Sequence, residues 1–202
     1  MRIAVYGATG MIGSRVVAEA LSRGHEVTGI TRSGGVLPAG AVAVQGDAGD
    51  TAFTKRIAAE VDVIVSAIGP SRTGGDRREF LAQVANLAET LGDARLIVVG
   101  GAGSLLVNGG RLVDQPDFPE LYRAEARIAA EALDYVRELG DGVDWTFFSP
   151  APVIAPGERT GSYKVGADSP AGDKVSAEDY AVALVDEIEN PAHRRKRFTV
   201  AN

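Results

Sequence analysis

The chain has 202 residues, of which 45% are hydrophobic and 24% are charged, and this balance is ordinary for a water-soluble globular domain. Its net charge of −6, with one short basic cluster at 194–197, argues against nucleic acid or an anionic membrane surface as a partner. The chain contains no cysteine, which excludes disulfides and thiolate chemistry, and its two histidines, His25 and His193, are too far apart in sequence to suggest a metal site.

Strand-like and helix-like segments alternate along the first half of the chain. A nearly continuous apolar run at 61–67 is typical of a parallel strand that is covered on both faces. The predicted elements here are a strand over 2–6, a helix that stops at Arg23-Gly24, strands over 26–31 and 41–45, a helix from Asp50 or Thr51 to about 60, and a strand over 61–67.

The second half continues the alternation. A capping-box variant, Asp76-Arg77-Arg78-Glu79, predicts a helix that runs through Leu91, and a second capping box at 176–179 predicts a helix to about 189. Strands are predicted over 96–99, 145–148 and 197–200. A long helix after Pro119 is predicted to bury one face, formed by Leu121, Ala124, Ile128, Ala132, Val136 and Leu139.

This alternation predicts an α/β fold, a Rossmann-type doubly wound parallel sheet flanked by helices. We expect a single domain over 1–202, with residues 150–175 forming part of a small substrate-side lobe. Ligands of such sheets bind beyond the carboxyl ends of the strands, so the residues that follow each strand are the candidates for function.

Three glycines join the first strand to its helix in the run Gly7-Ala8-Thr9-Gly10-Met11-Ile12-Gly13. We expect Gly7 to make the sharp turn, Gly10 to let a diphosphate approach the backbone, and Gly13 to let the helix lie close to the sheet. The first helical amides would then face the diphosphate at the positive end of the helix dipole. No lysine follows Gly13, which excludes a P-loop.

The end of the second predicted strand indicates which nicotinamide cofactor binds. NAD-binding sheets usually carry an acidic residue there, which bonds the ribose 2′-hydroxyl. This chain has no acidic residue between 27 and 46 and places Arg32 at that point. A guanidinium suits a 2′-phosphate, so we expect NADP(H) to be preferred over NAD(H). The alternative is that Arg32 is simply a solvent-exposed arginine in a loop.

Residues after the later strands are candidates for the reacting end of the site. Gly101 and its small neighbours leave room for a flat nicotinamide ring, and Ser104 could bond a carboxamide or a substrate, or equally its own backbone. The segment 105–118 is long enough to be a loop that acts as a lid. Phe118 and Tyr122 at its end could line a pocket or simply pack, and Ser104 and Tyr122 are the catalytic candidates.

The sequence lacks the usual proton-delivery pair of short-chain dehydrogenases, a tyrosine followed four residues later by a lysine. The residues four positions after the five tyrosines are Gly10, Ala126, Leu139, Ala167 and Leu184. Ordinary alcohol–ketone chemistry is therefore disfavoured. Ser149 does not lie in a G-x-S-x-G elbow, and no order of serine, histidine and acid suggests hydrolysis.

The chain resembles the atypical short-chain dehydrogenase/reductase superfamily, and within it the NADH-flavin reductase group, which is close to flavin/biliverdin reductases and NmrA-like proteins. The resemblance covers nearly the whole length and rests on the glycine run, Arg32, Gly46-Asp47, and the runs at 144–146, 149–151, 156–161 and 176–181. It implies diphosphate contacts from Gly7, Thr9, Gly10, Met11 and Ile12, a 2′-phosphate contact from Arg32, adenine contacts from Asp47 and Ala48, and ribose-side contacts from Ala67, Ile68 and Gly69.

Three functions are compatible with these features. We expect first an NADPH-dependent reductase that passes hydride to a flavin, FMN or FAD, or to a similar flat acceptor, with Phe118, Ser149 and Pro150 in the substrate pocket. The second is a non-catalytic NADP(H) sensor of the NmrA type, which binds a protein partner. The third, a sugar-nucleotide epimerase or dehydratase, is weakened by the missing tyrosine–lysine pair and by the short C-terminal region.

The location and assembly of the protein follow from coarser signals. The chain enters a strand at once and then meets the glycines, so we expect no signal peptide, and no apolar run approaches the length of a membrane span. We therefore expect a cytoplasmic protein with a small-molecule acceptor and no membrane partner. A homodimer is left open.

Overall fold

The computed structural model describes residues 1–71 and 75–202. Five helices lie in these ranges: α1 (Met11–Ser22), α2 (Thr51–Glu60), α3 (Glu79–Glu89), α4 (Glu120–Glu138) and α5 (Ala177–Glu189). The strands are β1 (Arg2–Tyr6), β2 (Glu26–Thr31), β3 (Val42–Gln45), β4 (Val63–Ser66), β5 (Arg95–Val99), β6 (Leu106–Val107), β7 (Gly110–Arg111), β8 (Trp145–Ser149), β9 (Val153–Ala155), β10 (Lys164–Gly166), β11 (Lys174–Ser176) and β12 (Lys196–Ala201).

Eight of the strands form one sheet in the order β10-β12-β8-β5-β4-β1-β2-β3. Its neighbouring strands are parallel except at the edge, where β10 runs antiparallel to β12. Ile3 in β1 is in register with Val27 on one side and with Val63 on the other, so the chain order reverses at β1. This confirms the predicted doubly wound sheet and places its switch point, where ligands bind, at the end of β1.

The core consists of two layers of side chains, one on each face of the sheet. Helices α1 and α5 cover one face, with Val17 and Leu184 fully buried between them and the strands. Helices α2, α3 and α4 cover the other, with Leu87 and Val136 fully buried. Full burial of such a side chain contributes about 1.5–3 kcal/mol. Strand β4 is buried along its whole length, as its apolar run predicts.

Two of the three proposed helix caps are confirmed. The Asp50 carboxylate accepts hydrogen bonds from the amides of residues 52 and 53 at the start of α2, and the Ser176 hydroxyl accepts one from the Asp179 amide, 2.9 Å away. The capping box proposed at 76–79 is wrong. The Asp76 carboxylate instead accepts a hydrogen bond from the Arg78 amide in the turn before α3, which starts only at Glu79.

The buried face of α4 differs from the predicted one. Leu121 is 83% exposed and Ala124 is also exposed, whereas the fully packed stretch begins at Ala129. The reason is that the first two turns of α4 line a cavity instead of the sheet. The apolar periodicity of the sequence correctly predicted a helix. It wrongly predicted that the buried face continues into the first two turns, which lie outside the core.

The segment 105–118 is not a plain loop. It contains a short antiparallel hairpin of β6 and β7 and a single 3₁₀ turn over Leu112–Asp114. Asn108 and Gly109 both have positive φ at the hairpin turn, which is the usual property of an Asn-Gly pair there.

Three short strands at 153–176 were also missed, because three residues are too few to show a period. Of these, β9 pairs with β11 and β10 joins the main sheet. In the part of the chain that the structure describes, no helix is long and apolar enough to cross a membrane.

Candidate functional site

The glycine run makes contacts between backbone segments that no side chain would allow. Gly7 has a φ of +78°, and a Cβ there would lie 2.6 Å from the Ala67 carbonyl oxygen. A Cβ on Gly13 would lie 2.1 Å from the Gly7 carbonyl oxygen. Gly13 therefore lets α1 pack against the end of β1, as predicted. The turn between β1 and α1 is tight because its backbone segments approach closely at Gly7 and Gly13.

The N-terminus of α1 is open toward the carboxyl edge of the sheet. Its N-cap residue, Gly10, offers no side chain to the first amides, and the first intrahelical bond there runs from the Ser14 amide to the Gly10 carbonyl. The amides of the first turn have no partner within a helix, and the helix dipole makes this end favourable for an anion. The geometry therefore fits the diphosphate that the glycine spacing predicts.

A small cavity of about 310 Å³ lies beyond the ends of β1, β2, β3 and β4. Eight predicted cofactor residues line it: Gly7, Thr9, Gly10, Arg32, Ala48, Ala67, Ile68 and Gly69. Asp47 is not among the residues that line this cavity, and its carboxylate accepts a hydrogen bond from the Gly49 amide at 2.7 Å. Its contact with adenine stays a prediction.

Tyr6 and Gln83 are among the residues of this small cavity that sequence reasoning missed. Tyr6 lies at its floor, and the buried hydroxyl of Tyr6 has no hydrogen-bond partner among the described residues. Burial raises the pKa of that hydroxyl, so Tyr6 is neutral. Gln83, from α3, lines both this cavity and the larger one beside it. Nothing in the local sequence distinguishes either residue from ordinary core.

A larger cavity of about 870 Å³ adjoins the small one, with which it shares Arg32, Ala67, Ile68, Gly69 and Gln83. It extends past the ends of β4, β5 and β8 to the start of α4. The structure brings six more of the predicted residues to its wall: Met11, Ile12, Gly101, Phe118, Tyr122 and Pro150.

Two predicted serines do not reach this larger cavity. Ser104 and Ser149 are buried, neither lines the cavity, and their hydroxyls have no partner in the described parts of the chain. The structure therefore gives no support to the expected contacts of Ser104 with a carboxamide or substrate and of Ser149 with a substrate, which stay predictions. Both side chains point into packed protein from the ends of their elements.

The tyrosines at the larger cavity have different environments. Tyr122 is 53% exposed on the first turn of α4, so it can meet a ligand. Tyr180 is a fully buried part of the wall, stacks on Phe148, and donates its hydroxyl to the Phe148 carbonyl oxygen at 2.6 Å. Burial raises the pKa of Tyr180 far above its usual value. Its hydroxyl is therefore committed to the backbone.

Arg32 lies where the two cavities meet. Its side chain is 66% exposed, and a guanidinium nitrogen donates to the Glu79 carboxylate at 3.2 Å. The Gln45 side chain donates to the Arg32 carbonyl oxygen at 2.8 Å, which fixes the backbone at this position. The structure thus places a positive charge beside the small cavity.

The run at 156–161 fastens the wall of the larger cavity to two helices. The amides of Gly157 and Gly161 donate to the carboxylates of Glu178 and Asp179 at the start of α5. The Arg159 guanidinium donates to both carboxylate oxygens of Glu19 on α1, each at 2.8 Å. Burial tends to raise the pKa of Asp179, but hydrogen bonds, the first of them from Thr160, outweigh it and lower the pKa.

A further link joins this fastening to the glycine loop. The Arg15 side chain donates to the Glu178 carboxylate at 2.6 Å and to the Met11 carbonyl oxygen at 2.7 Å. The first turn of α1, the run at 156–161 and the start of α5 are therefore one bonded unit. Met11 and Ile12 of this unit line the larger cavity, and the side chains that make these hydrogen bonds hold that wall in place without lining it.

Comparisons with known proteins agree with this geometry. A family model described as NAD(P)H-binding matches residues 7–191. The chain is 38% identical over 215 aligned positions to the uncharacterized protein YwnB of Bacillus subtilis (strain 168), covering 100% of this chain and 99% of that protein.

Two solved structures are similar over their whole length. One is a candidate exported protein of Burkholderia pseudomallei, with a TM-score of 0.89 and 42% identity over 100% of both chains. The other is SP1627 of Streptococcus pneumoniae TIGR4, named as a candidate NADH-flavin reductase, with a TM-score of 0.89 and 34% identity over 100% of this chain and 99% of that one.

Proposed function

Because this chain belongs to the NAD(P)H-binding family, we propose that it is a reductase that prefers NADPH over NADH and transfers hydride to a flat, electron-poor acceptor such as FMN or FAD. One observation carries the proposal: a small and a large cavity adjoin at the carboxyl edge of the sheet, and the larger measures about 870 Å³. Ligand sites of roughly 300–1,000 Å³ hold drug-sized molecules. The larger cavity therefore has room for a nicotinamide and a second ring.

The chain offers a holding residue for each part of the cofactor. The first-turn amides of α1 would bind the diphosphate, and Arg32 would bind the 2′-phosphate. Ala48 and Ile68 would lie against the adenosine half in the small cavity, and Gly101 leaves space for the nicotinamide in the larger one. Once bound, the reduced nicotinamide supplies the hydride.

The protein's own contribution is binding, orientation and the exclusion of water. Phe118 and Pro150 contribute apolar surface to the wall of the larger cavity. Holding two rings in reactive geometry replaces a bimolecular encounter, and no protein acid is required when reduced flavin takes its second proton from water. The hydroxyl of Tyr180 is unsuited to proton delivery, because it is donated to a backbone carbonyl.

A second candidate is a non-catalytic NADP(H)-binding regulatory protein. The burial of the Ser104 and Ser149 hydroxyls favours this candidate. Of the three predicted residues Ser104, Tyr122 and Ser149, Tyr122 alone lines the larger cavity, so few groups are available for catalysis there. In this case the cofactor would bind, and a protein partner, not an acceptor ring, would respond to it.

Titration and turnover together separate the two candidates. NADPH binding is measured by calorimetry, and NADPH oxidation is followed by absorbance with riboflavin, FMN, FAD and a soluble quinone. Binding with flavin-dependent oxidation supports the reductase. Binding without oxidation of NADPH by any of these acceptors favours the sensor, and failure to bind either nucleotide refutes both.

We also propose a cytoplasmic location, because reduced nicotinamide cofactors are regenerated there. Fractionation of the native cells, with detection of this chain by antibody, tests the proposal. Recovery of the protein only outside the cytoplasmic fraction would overturn it and would leave the cofactor assignment to be judged by titration alone.

A further inference from the structure

We propose that Glu79 is a positioning residue that sets the cofactor preference, by holding the Arg32 guanidinium and so weakening its pull on a 2′-phosphate. The inference rests on the proposed NADPH-binding function and deepens it. Its geometric basis is the contact between the two side chains across the place where the cavities adjoin, 3.2 Å from an Arg32 nitrogen to a Glu79 oxygen.

The Glu79 carboxylate is held in place from its own helix. Glu79 is the first residue of α3, where the helix dipole favours a negative charge. The Gln83 side-chain amide, which is almost fully buried, donates to the same Glu79 oxygen at 3.2 Å. Gln83 therefore keeps the carboxylate at the cavity wall, where Glu79 also lies.

Asp76, in the turn that precedes α3, is another acidic residue at this cavity, but it has a different hydrogen-bond partner. The Asp76 carboxylate also lies at the larger cavity, but it accepts a hydrogen bond from the Arg78 amide at 2.9 Å. Among the described residues it makes no ion pair with Arg32. Glu79 is therefore the acid that neutralises Arg32 when no phosphate is present.

This pairing has a direct consequence for selectivity. The Glu79 carboxylate takes up one N–H of the Arg32 guanidinium and offsets part of its charge, so Arg32 binds a 2′-phosphate less strongly. NADH has no 2′-phosphate, and its binding is not weakened in this way. Both side chains are at least half exposed, and exposed ion pairs are weak. Glu79 thus lowers the preference for NADPH without abolishing it, and NADH remains a usable cofactor.

The test compares dissociation constants for NADPH and NADH, measured by calorimetry, in wild type and in Glu79→Gln. The ratio of the NADH constant to the NADPH constant should rise two- to fivefold in the variant. Glu89→Gln is the matched control, since it removes the same charge from the exposed far end of the same helix and should leave the ratio unchanged.

A second background shows whether Glu79 acts through Arg32. In Arg32→Ala, the added Glu79→Gln change should alter the ratio by less than twofold, because no guanidinium remains to be released. Circular dichroism checks the fold, and Glu79→Ala serves the same purpose if the Gln variant is unstable.

The outcomes distinguish this inference from the function on which it rests. A ratio that rises by less than twofold in Glu79→Gln, or an equal rise without Arg32, overturns the role of Glu79 while NADPH binding stands. Failure of wild type to bind either nucleotide overturns the proposed function, and the role of Glu79 with it.

Discussion

Replacing Arg32 by alanine tests the source of the NADPH preference. A charge-assisted hydrogen bond contributes about 1.5–3 kcal/mol. Here the Arg32 side chain is 66% exposed, so solvent screens it, and leaving Glu79 costs about 0.2–1 kcal/mol for an exposed pair. The difference is about 0.5–3 kcal/mol, and solvent screening places the net preference in its lower part, about 0.5–2 kcal/mol. Wild type should therefore bind NADPH roughly 2- to 30-fold more tightly than NADH.

Isothermal titration calorimetry with both nucleotides measures this preference in wild type and in Arg32→Ala. The variant should lose NADPH affinity by about the same factor and bind NADH nearly as wild type does. Arg78→Ala is the matched control, because Arg78 is also an exposed arginine near α3 but lines neither cavity. Equal affinities in wild type, or a variant that keeps the preference, would refute the reasoning.

Three further predictions concern the cradle, the mechanism and the fastening of the site. Gly10→Val should abolish NADPH binding with an unchanged circular dichroism spectrum, because its side chain would occupy the space of the diphosphate. The control Gly140→Val, at a position with open space around it, should bind NADPH normally. A folded Gly10→Val that binds NADPH would contradict the assignment of the glycine run to the diphosphate. Tyr122→Phe should keep the rate of flavin reduction within about tenfold of wild type. A general acid contributes roughly 10²–10⁴-fold, so a thousandfold fall in kcat with unchanged NADPH affinity would identify Tyr122 as that acid. Asp179→Asn should destabilise the fold by about 1–3 kcal/mol at pH 7. Because folding lowers the pKa of Asp179, its stabilisation is present above the unfolded value of about 3.9 and is lost as the pH falls toward the lower folded value. The difference in Tm between wild type and Asp179→Asn should therefore shrink below about pH 4, and a constant difference from pH 7 to pH 3 would rule this out.

The parts of the fold that are set by short-range sequence patterns were predictable. The glycine run predicted the β1–α1 unit, because its tight turn leaves no room for a Cβ. The apolar run at 61–67 predicted a parallel sheet, because only a strand covered on both faces is apolar along its length. The predicted resemblance to atypical short-chain dehydrogenases/reductases is confirmed by the NAD(P)H-binding match over 7–191 and by the reductase-named structural neighbour.

The direction of individual side chains at the site was not predictable. Ser149 ends β8 and Ser104 comes soon after β5, both at the ligand edge of the sheet, yet each hydroxyl is buried in packed protein. The direction of such a side chain depends on elements distant in sequence. Leu121 fits the helical period of α4, but no core element lies against that turn. The pairing of Arg32 with Glu79 joins residues 47 positions apart, which local spacing does not reveal.

The bonded unit of α1, the run at 156–161 and the start of α5 has a consequence for the range of acceptors. The side of the larger cavity formed by Pro150 and Ile154 leads directly into that unit, so it is a rigid wall. The cavity is also lined by Phe118, just before α4, and by the half-exposed Tyr122 on the first turn of α4. Acceptors of new shape should therefore be accommodated by substitutions at Phe118 and Tyr122, and the wall formed by Pro150 and Ile154 is the scaffold to leave intact in directed evolution.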